Sequence, residues 1–277
     1  MVEVLDPGFY SSIQDKGRLG YQSFGIPISG CMDSYSADNA NKILGNKLSD
    51  SLMEITMLGP TLKFRINTKI SLTGSDMTPF LNNKTISMNS VINISAGDVL
   101  KFKRPNQGLR SYIGVLNGFK TKKVLNSRSM FKNITEDFRL KKGDIIPIIE
   151  KVNFKNQHNN LIFNNSNISL KCIKGPEFKL LSKLNIDLMK STFFTISKNS
   201  NRMACQLDEK VSNNIPPILS SHVMPGTVQL TPNGTLIILM RDCQTTGGYP
   251  RILQLNESSI NFISQSRLSS KIKFSDF

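Results

Sequence analysis

The sequence predicts a mainly β protein with a few short helices, and three observations support this. Apolar and polar residues alternate along most of the chain, as in Leu62–Ile66 and Val99–Phe102. The 18 glycines and 12 prolines fall in short clusters between such segments, where turns are expected. The strand-like segments are also short and closely spaced, which favours barrels or sandwiches over a doubly wound parallel sheet.

Strand-like segments occur in two series along the chain. The first series is Leu62–Ile66, Val91–Ile94, Val99–Phe102, Tyr112–Leu116 and Ile145–Ile149. The second series is Ile168–Cys172, Phe193–Ile196, Val228–Leu230, Leu236–Met240 and Ile252–Leu255. A polar, asparagine-rich stretch at residues 152–167 separates them. We therefore predict two β-rich domains, residues 1–155 and residues 156–277.

Three segments depart from the alternation and predict helices. The first is capped by Asp33 or Ser34 and ends at Gly45. The second follows Glu177, and the third spans Ser258–Gln265. Apolar residues at helical spacing mark one side of the first two helices: Ala37, Ala40 and Leu44, then Phe178, Leu181, Leu184 and Leu188.

The formal net charge of +15 attracts polyanions but does not by itself indicate nucleic-acid binding. The lysines are scattered between strand-like segments, with no basic run of five and no helix-turn-helix, zinc-finger or RNA-binding pattern. We expect a solvated lysine surface and no nucleic-acid partner. Apolar runs are too short for a membrane helix, and the N-terminus lacks the features of a signal peptide, so we expect a cytoplasmic protein.

The cysteines do not form a recognisable metal-binding pattern. Cys31, Cys172, Cys205 and Cys243 lie far apart, with no Cys-x-x-Cys and no histidine at ligand spacing. We predict reduced thiols and no metal site. A nucleophilic cysteine–histidine pair would need one of these cysteines to meet His158 or His222 in space.

The segment Gln244–Arg251 is the most unusual in composition. Adjacent glycines after an apolar strand can turn backbone amides toward an anion, and neighbouring hydroxyls add donors. Arg251 can hold a carboxylate or phosphate through two parallel hydrogen bonds. The alternative is a tight hairpin with a Gly-Gly turn. The candidate binding residues here are Gln244, Thr245, Thr246, Gly247, Gly248, Tyr249 and Arg251.

A second group of candidates lies in loops near the N-terminus. Asp15, Arg18, Ser29 and Asp33 occur in Gly- and Pro-rich loops that lead to a helix N-terminus, where unpaired N–H groups attract anions. Asp33 can equally be only the helix cap. Glu54 lies among apolar residues, where burial raises the pKa of a carboxyl group toward the range of a general acid or base. The alternative is an edge-strand glutamate facing water.

Two further arginines stand beside small polar residues. Arg110 occurs in Gly108-Leu-Arg-Ser-Tyr112 and Arg202 in Ser200-Asn-Arg-Met203. Both are candidates for anion binding, and a structural salt bridge is the alternative for each.

These segments, taken in order, resemble the biotin-dependent carboxyltransferase/allophanate hydrolase subunit 2 family, and most closely its branch of 5-oxoprolinase C-type subunits. The similar motifs run nearly end to end. They include Gln14-Asp-x-Gly-Arg18, Gly25-x-Pro-x-Ser-Gly-x-Met-Asp33, Glu54-Ile-Thr56, Arg110-Ser-Tyr112, Gly175-Pro-Glu177, Ser200-Asn-Arg-Met203, Pro225-Gly226 and Gln244–Arg251. Ala204, Cys205 and Gln206 depart from the usual family pattern, and Gln206 replaces an arginine.

The resemblance implies two cyclophilin-like β-barrel domains and a partner similar to the B-type subunit of 5-oxoprolinase or to allophanate hydrolase subunit 1. It implies an ATP-dependent hydrolase that opens 5-oxoproline to L-glutamate, together with a separate A-type subunit. ATP then binds on this chain, on the partner, or between them. Under this hypothesis Asp15, Asp33 or Glu54 transfers protons, and Arg110, Arg202 and Arg251 bind carboxylate and phosphate. The amides of Thr245–Gly248 stabilise the developing oxyanion.

Two alternatives remain open. One is carboxyl transfer from carboxybiotin to a urea-like substrate, with the biotin supplied by another chain. The other is a binding protein without catalytic activity that antagonises an inhibitor of a sensor kinase, as in the Kip antagonist proteins of the family.

Overall fold

The structure is a computed structural model that describes residues 1–149 and 169–277. These residues form two compact units. The first holds residues 1–18 and 29–149, and the second holds residues 19–28 and 169–277. The second unit thus includes a short segment that the predicted boundaries assign to the first half. The predicted boundary between residues 155 and 156 lies outside the described residues, as does the asparagine-rich stretch.

The first unit contains two antiparallel sheets and one helix. Helix α1 spans Ser34–Ile43. The strands are β1 (Val2–Asp6), β2 (Tyr10–Gln14), β3 (Leu52–Thr56), β4 (Thr61–Phe64), β5 (Thr68–Gly74), β6 (Phe80–Leu81), β7 (Lys84–Thr85), β8 (Val91–Ile94), β9 (Val99–Lys101), β10 (Arg110–Val115) and β11 (Ile145–Ile146). One sheet has the order β11-β1-β4-β9-β6-β7 and the other β2-β3-β10-β5-β8. Their inward-facing residues, among them Val4, Phe64 and Ile113, form one buried core.

The second unit is built on a large mixed sheet. Its strands are β12 (Ser169–Lys174), β13 (Phe194–Thr195), β14 (Ala204–Lys210), β15 (Ser221–His222), β16 (Thr227–Leu230), β17 (Thr235–Leu239), β18 (Thr246–Gly247), β19 (Arg251–Leu255) and β20 (Lys271–Ser275). The order β13-β20-β12-β19-β16-β17-β14 forms the main sheet, and β15 pairs with β18 beside it. Strands β12 and β20 run parallel, whereas the other pairs among these strands are antiparallel. The predicted mainly β class of barrel-like units is confirmed.

Two of the three predicted helices form as expected. The Asp33 side chain caps α1 by accepting a hydrogen bond from the Ser36 backbone N–H, at 3.1 Å. The third predicted helix spans Glu257–Gln265 and is capped by Asn256. Among the described residues, no helix combines the length and the apolar character that crossing a membrane requires.

The second predicted helix differs from the expectation. A 3₁₀ turn spans Phe178–Leu180, and helix α2 (Lys183–Ser191) begins only after it. The two residues between them, Leu181 and Ser182, have extended backbones, so residues before and after them do not share one helical face. Phe178 and Leu181 are buried as predicted. Leu184 and Leu188, in contrast, are 78% and 39% exposed, so their predicted place on a shared apolar side is wrong.

Most of the predicted strands are present with small shifts in their ends. The segment predicted at Phe193–Ile196 forms a strand at Phe194–Thr195, and Ile145–Ile149 contributes only its first two residues. Ile168, the predicted start of another strand, lies outside the described residues, and that strand is described from Ser169.

Candidate functional site

The predicted site residues fall into two groups, one in each unit. The first unit holds Asp15, Arg18, Ser29, Asp33, Glu54 and Arg110. The second unit holds Arg202, Gln244, Thr245, Thr246, Gly247, Gly248, Tyr249 and Arg251. That both groups line one cleft stays a prediction, and each group is described by itself.

Asp15 anchors the loop at residues 127–129. Its Oδ1 accepts hydrogen bonds from the Ser127 and Ser129 hydroxyls at 2.6 and 2.7 Å, and from the Gly17 N–H at 2.9 Å. Its Oδ2 accepts a hydrogen bond from the Arg128 N–H at 2.6 Å. Both oxygens therefore already hold two loops together. This pairing favours an anchoring role over the predicted proton transfer.

Glu54 is fully buried at the centre of a hydrogen-bond network on strands β3 and β10. The two strands place Glu54 directly opposite Tyr112. The Glu54 Oε2 accepts hydrogen bonds from the Tyr112 hydroxyl at 2.9 Å and from the Met32 N–H at 2.7 Å. The Tyr112 oxygen in turn accepts a hydrogen bond from the Asp33 N–H at 2.8 Å. The network thus fixes the chain that enters α1.

The same network raises the pKa of Tyr112 well above its ordinary value. Burial is the main cause, and the nearby carboxylates of Glu54 and Asp33 add to it. Tyr112 therefore stays a neutral hydrogen-bond donor to Glu54. Since Glu54 is buried among these partners, the predicted alternative of an edge-strand glutamate facing water is wrong.

The two arginines of the first unit are held inside the protein. The Arg110 Nε lies 3.8 Å from the Glu54 Oε1, and its side chain is only 8% exposed. Arg18 is 1% exposed and donates a hydrogen bond to the Ser129 carbonyl oxygen. Both guanidinium groups therefore contribute to internal structure. The salt bridge that the sequence allowed as the alternative for Arg110 is the arrangement observed.

Ser29 has an unusual position beside these loops. It adopts a left-handed backbone conformation with φ of 59°, although it is not glycine. It is 2% exposed, and its hydroxyl has no hydrogen-bond partner among the described residues. Ser29 is therefore a buried, strained residue in the loop before α1.

In the second unit, two predicted anion-binding arginines already bind carboxylates of the chain. The Arg251 Nε and Nη2 each donate to a different oxygen of Glu177 at 2.9 Å. The Arg202 Nε and Nη2 bind the two oxygens of Asp242 at 2.7 and 3.1 Å. Both pairs have the bidentate geometry that a bound substrate carboxylate would need. Both arginines are thus paired within the chain, and that they clamp a ligand stays a prediction.

The Arg251–Glu177 pair also changes the acidity of both groups. Hydrogen bonding from Arg251 lowers the pKa of Glu177, and Glu177 raises the pKa of Arg251. Arg251 further donates from Nη1 to the His222 carbonyl oxygen at 2.9 Å. The arginine thus joins the start of β19 to Glu177 and to β15.

The Gly247–Gly248 segment is extended rather than curved. Thr246–Gly247 forms β18 and pairs with Ser221–His222, and the Gly248 carbonyl oxygen accepts a hydrogen bond from the Ile218 N–H at 3.1 Å. Neither glycine has a positive φ, which an anion-binding nest requires. The alternative of a Gly-Gly hairpin is therefore wrong, because the segment pairs with an earlier strand instead. The backbone does not favour the predicted anion loop, whose role stays a prediction.

A cavity of about 170 Å³ lies within the second unit, beside β15 and the chain that leads into β18. Three segments line it: Gln22 with Pro27–Ile28, His222–Pro225, and Arg241 with Cys243–Thr245. Of the predicted site residues, Gln244 and Thr245 contribute to this wall, whereas Thr246, Gly247, Gly248, Tyr249 and Arg251 do not. This cavity, which we call the β15 cavity, is the candidate ligand site.

The polar side chains that line the β15 cavity differ in whether they already have a partner in the protein. Arg241 bonds Glu257, so its charge is compensated. The side chains of His222, Gln244 and Thr245 make no hydrogen bond within the described part of the chain. Thr245 is 9% exposed, so most of this residue lies inside the protein. Polar side chains that are not used by the protein itself, at the wall of a mostly apolar cavity, can orient a small molecule.

Cys243 and His222 meet at the β15 cavity, but the thiol is not activated. Burial raises the pKa of Cys243 to about 12, and the neighbouring Asp242 carboxylate adds to this. The thiol is therefore protonated at neutral pH, which disfavours a cysteine nucleophile here. All four cysteines are buried. Among the described residues, no group of His, Cys, Asp and Glu side chains could hold a metal ion.

Sequence reasoning missed most of the cavity. His222, Met224 and Arg241 carried no motif of their own, and the 19–28 segment looked like part of the first half. The usable signal was Pro225-Gly226 beside a histidine, together with the position of Gln244 after an apolar strand. The pairing of β15 with β18 joins residues more than twenty positions apart and could not be read from alternation alone.

A family model for the carboxyltransferase domain, subdomain A and B, matches residues 24–276. The chain belongs to this carboxyltransferase family. It is 30% identical to the 5-oxoprolinase C subunit of Escherichia coli (strain K12), a match that covers 99% of this chain and 90% of the relative. The resemblance stated from the motifs is thereby confirmed.

Proteins named urea amidolyase and urea carboxylase also match the chain. It is 38% identical over 130 residues to urea amidolyase of Lachancea kluyveri, which covers 47% of this chain and 7% of that enzyme. The solved structure of Kluyveromyces lactis urea carboxylase superimposes with a TM-score of 0.89 at 26% identity, over 99% of this chain and 27% of that one. Across the matched solved structures, this chain spans 18% to 56% of the other chain.

The residues predicted to hold phosphate do not fit ATP. The glycine segment is extended, and Arg202 and Arg251 are bound to carboxylates. The β15 cavity is also smaller than the roughly 300–1,000 Å³ of sites for drug-sized ligands.

Proposed function

We propose that this chain is the C-type subunit of an ATP-dependent 5-oxoprolinase that converts 5-oxoproline to L-glutamate in the cytoplasm. The observation that carries the proposal is the match to the 5-oxoprolinase C subunit, which spans 99% of this chain and 90% of the relative. The match to urea amidolyase spans only 7% of that enzyme. A partner similar to the B-type subunit and a separate A-type subunit complete the proposed assembly.

The β15 cavity supports this proposal by its size and chemistry. A volume of about 170 Å³ suits a small metabolite. Pro27, Ile28 and Val223 offer apolar walls for ring methylenes, while Gln244 and Thr245 offer hydrogen-bonding groups. A site of this kind holds a small ring in one orientation.

The proposed reaction requires chemical activation of the substrate because a lactam carbonyl is unreactive. The ring nitrogen donates electrons to the carbonyl, so ATP is needed to activate its oxygen. Since the glycine segment, Arg202 and Arg251 do not form a phosphate cradle, we assign the nucleotide to another subunit. The role of this chain is then to hold the ring and to donate hydrogen bonds where negative charge develops on oxygen.

The second candidate function is carboxyl transfer from carboxybiotin to a urea-like substrate. The fold similarity to urea carboxylase, with a TM-score of 0.89, favours it. In this case a biotinylated carrier from another polypeptide would deliver the carboxyl group, and the β15 cavity would receive a urea or ureido group.

The test reconstitutes the chain with its cognate B-type and A-type partners. We expect glutamate release from 5-oxoproline that requires ATP and stops when this chain is left out. The same preparation receives carboxybiotin and urea in a parallel assay. Carboxylation of urea without glutamate release would replace the first proposal by the second, and tight assembly without either reaction would indicate the antagonist.

A further inference from the structure

We propose that the β15 cavity recognises the cis-amide edge of a five-membered ring, and that the carboxamide of Gln244 is the specificity-determining group. The choice of a lactam as the physiological ring rests on the proposed function. The recognition itself rests on the cavity and on the side chains in its wall that make no hydrogen bond within the described part of the chain.

The recognition follows from the chemistry of Gln244. A carboxamide carries an N–H donor and a C=O acceptor on the same edge. The N–H and C=O of a five-membered lactam also lie on one edge, since the ring holds the amide cis. The two groups can therefore pair through two parallel hydrogen bonds. Ordinary chain amides are trans and cannot present this edge.

The surroundings of Gln244 fit such a ring. Gln244 lines the cavity, and its carboxamide has no protein partner among the described residues. Thr245, nine-tenths buried, adds a hydroxyl that likewise has no partner in this part of the chain. Pro27, Ile28 and Val223 supply the apolar walls that ring methylenes would contact.

Arg241 is not the recognition group in this proposal. Its guanidinium bonds Glu257 and lies 3.5 Å from the Asn261 side-chain oxygen. The charge is therefore compensated before any ligand binds. A carboxylate on the ring is expected to add less to affinity than the amide edge.

The same edge occurs in two ligand sources. A lactam such as 5-oxoproline has it, and a cyclic urea such as the ureido ring of biotin has it too. 2-Imidazolidone serves as the probe for the cyclic urea. Cyclopentanecarboxylate has the same ring size and a carboxylate but no amide, so it serves as the matched negative probe.

The experiment is equilibrium dialysis with isotope-labelled 5-oxoproline, using the chain in complex with its B-type partner. We expect saturable binding that unlabelled 2-imidazolidone displaces and cyclopentanecarboxylate does not. Equal displacement by cyclopentanecarboxylate would overturn the proposal, because ring shape alone would then explain the binding. An absence of saturable binding by both amide rings would overturn it as well.

Variants test the role of Gln244 itself. Gln244→Leu is expected to weaken binding at least about tenfold, and Thr245→Val about three- to tenfold, because each removes hydrogen bonds to the ring. Gln244→Glu keeps the side-chain shape but loses the N–H donor. This variant therefore tests the same interaction even if the leucine variant fails to fold. Gln107→Leu and Thr192→Val, at residues that do not line the cavity, are the matched controls and should bind like the wild type. Wild-type affinity in both Gln244 variants would refute the assignment.

The two proposals fail in different ways. If glutamate release depends on this chain but the KM for 5-oxoproline is unchanged by Gln244→Glu, the inference about Gln244 is wrong and the proposed function stands. If 2-imidazolidone binds through Gln244 but no glutamate forms, the cis-amide site stands and the proposed function is wrong.

Discussion

At the scale of single residues, three arginines that the sequence suggests as ligand contacts are paired with carboxylates of the chain itself. Arg110 lies against Glu54, Arg202 binds Asp242, and Arg251 binds Glu177. Removing one partner of such a pair leaves the other group desolvated and unpaired. The pairs are therefore expected to stabilise the fold, and their loss is measurable as a change in unfolding free energy.

The Glu177–Arg251 pair predicts a dependence of stability on pH. Because Arg251 lowers the pKa of Glu177, the ionised carboxylate stabilises the native state above the ordinary pKa of 4.5. This stabilisation is lost as the pH falls below 4.5 and through the lowered native pKa. Glu177→Gln should therefore cost about 1–3 kcal/mol at neutral pH, and the difference from wild type should shrink in acid.

Urea unfolding across this pH range measures the effect. Glu3→Gln is the matched control, since Glu3 pairs with Arg65 at the surface and exposed pairs contribute less than about 1 kcal/mol. A Glu177→Gln difference that stays constant down to acid pH would contradict the prediction.

Tyr112 gives a second prediction. Its hydroxyl joins Glu54 to the Asp33 N–H inside the first unit, so Tyr112→Phe removes two buried hydrogen bonds. We expect a loss of about 1–3 kcal/mol in unfolding free energy. Tyr35→Phe is the control. Because Tyr35 is 47% exposed, this substitution should change the unfolding free energy by only about a few tenths of a kcal/mol. Equal stability of the two variants would show that the network contributes little.

These residue pairings mark the limit of sequence reasoning. The sequence identified Glu54 as a carboxyl group among apolar residues, and the structure does bury it. Its partners Tyr112 and Met32 lie 58 and 22 positions away. Alternation and motif spacing carry no information on such contacts, so the sequence could not separate a ligand-binding arginine from an internally paired one.

At the scale of elements, helix caps and apolar alternation correctly predicted the helices and strands whose position depends on neighbouring residues. Helix α1 begins at its Asp33 cap, and the alternating strands of both series form. Strand β18 was missed because Gly-Gly has low strand propensity and pairs with β15 through tertiary contacts. The exposed face of α2 was missed because two extended residues interrupt the helical period.

The turn that carries Glu177 supplies a prediction at this scale. A Cβ on Gly175 would overlap the carbonyl oxygen of Arg251, and a backbone atom cannot move aside cheaply. Gly175→Ala should therefore separate the turn from β19 and cost roughly 1–3 kcal/mol or more. Gly248→Ala is the control for stability, since its Cβ would meet the Ile218 carbonyl oxygen at a tolerable 3.4 Å. Thermal unfolding compares the two, and a Gly175→Ala variant as stable as Gly248→Ala would contradict the prediction.

At the scale of the whole molecule, the β class and the family were predictable, whereas the candidate cavity was not. End-to-end motif order indicated the carboxyltransferase family, which the family model confirms over residues 24–276. The β15 cavity combines residues 19–28 with strands from the other end of the sequence. The contact grouping places residues 19–28 with the second unit, and the order of residues along the chain does not reveal this.

The β15 cavity of the second unit, as proposed above, receives a five-membered amide ring within a 5-oxoprolinase assembly. An experimental structure of the chain with its B-type partner and bound 5-oxoproline tests this most directly. We predict the ring beside Gln244 and Thr245, with its amide edge facing the Gln244 carboxamide. Ordered 5-oxoproline elsewhere in the assembly, with the β15 cavity holding only water, would contradict the account.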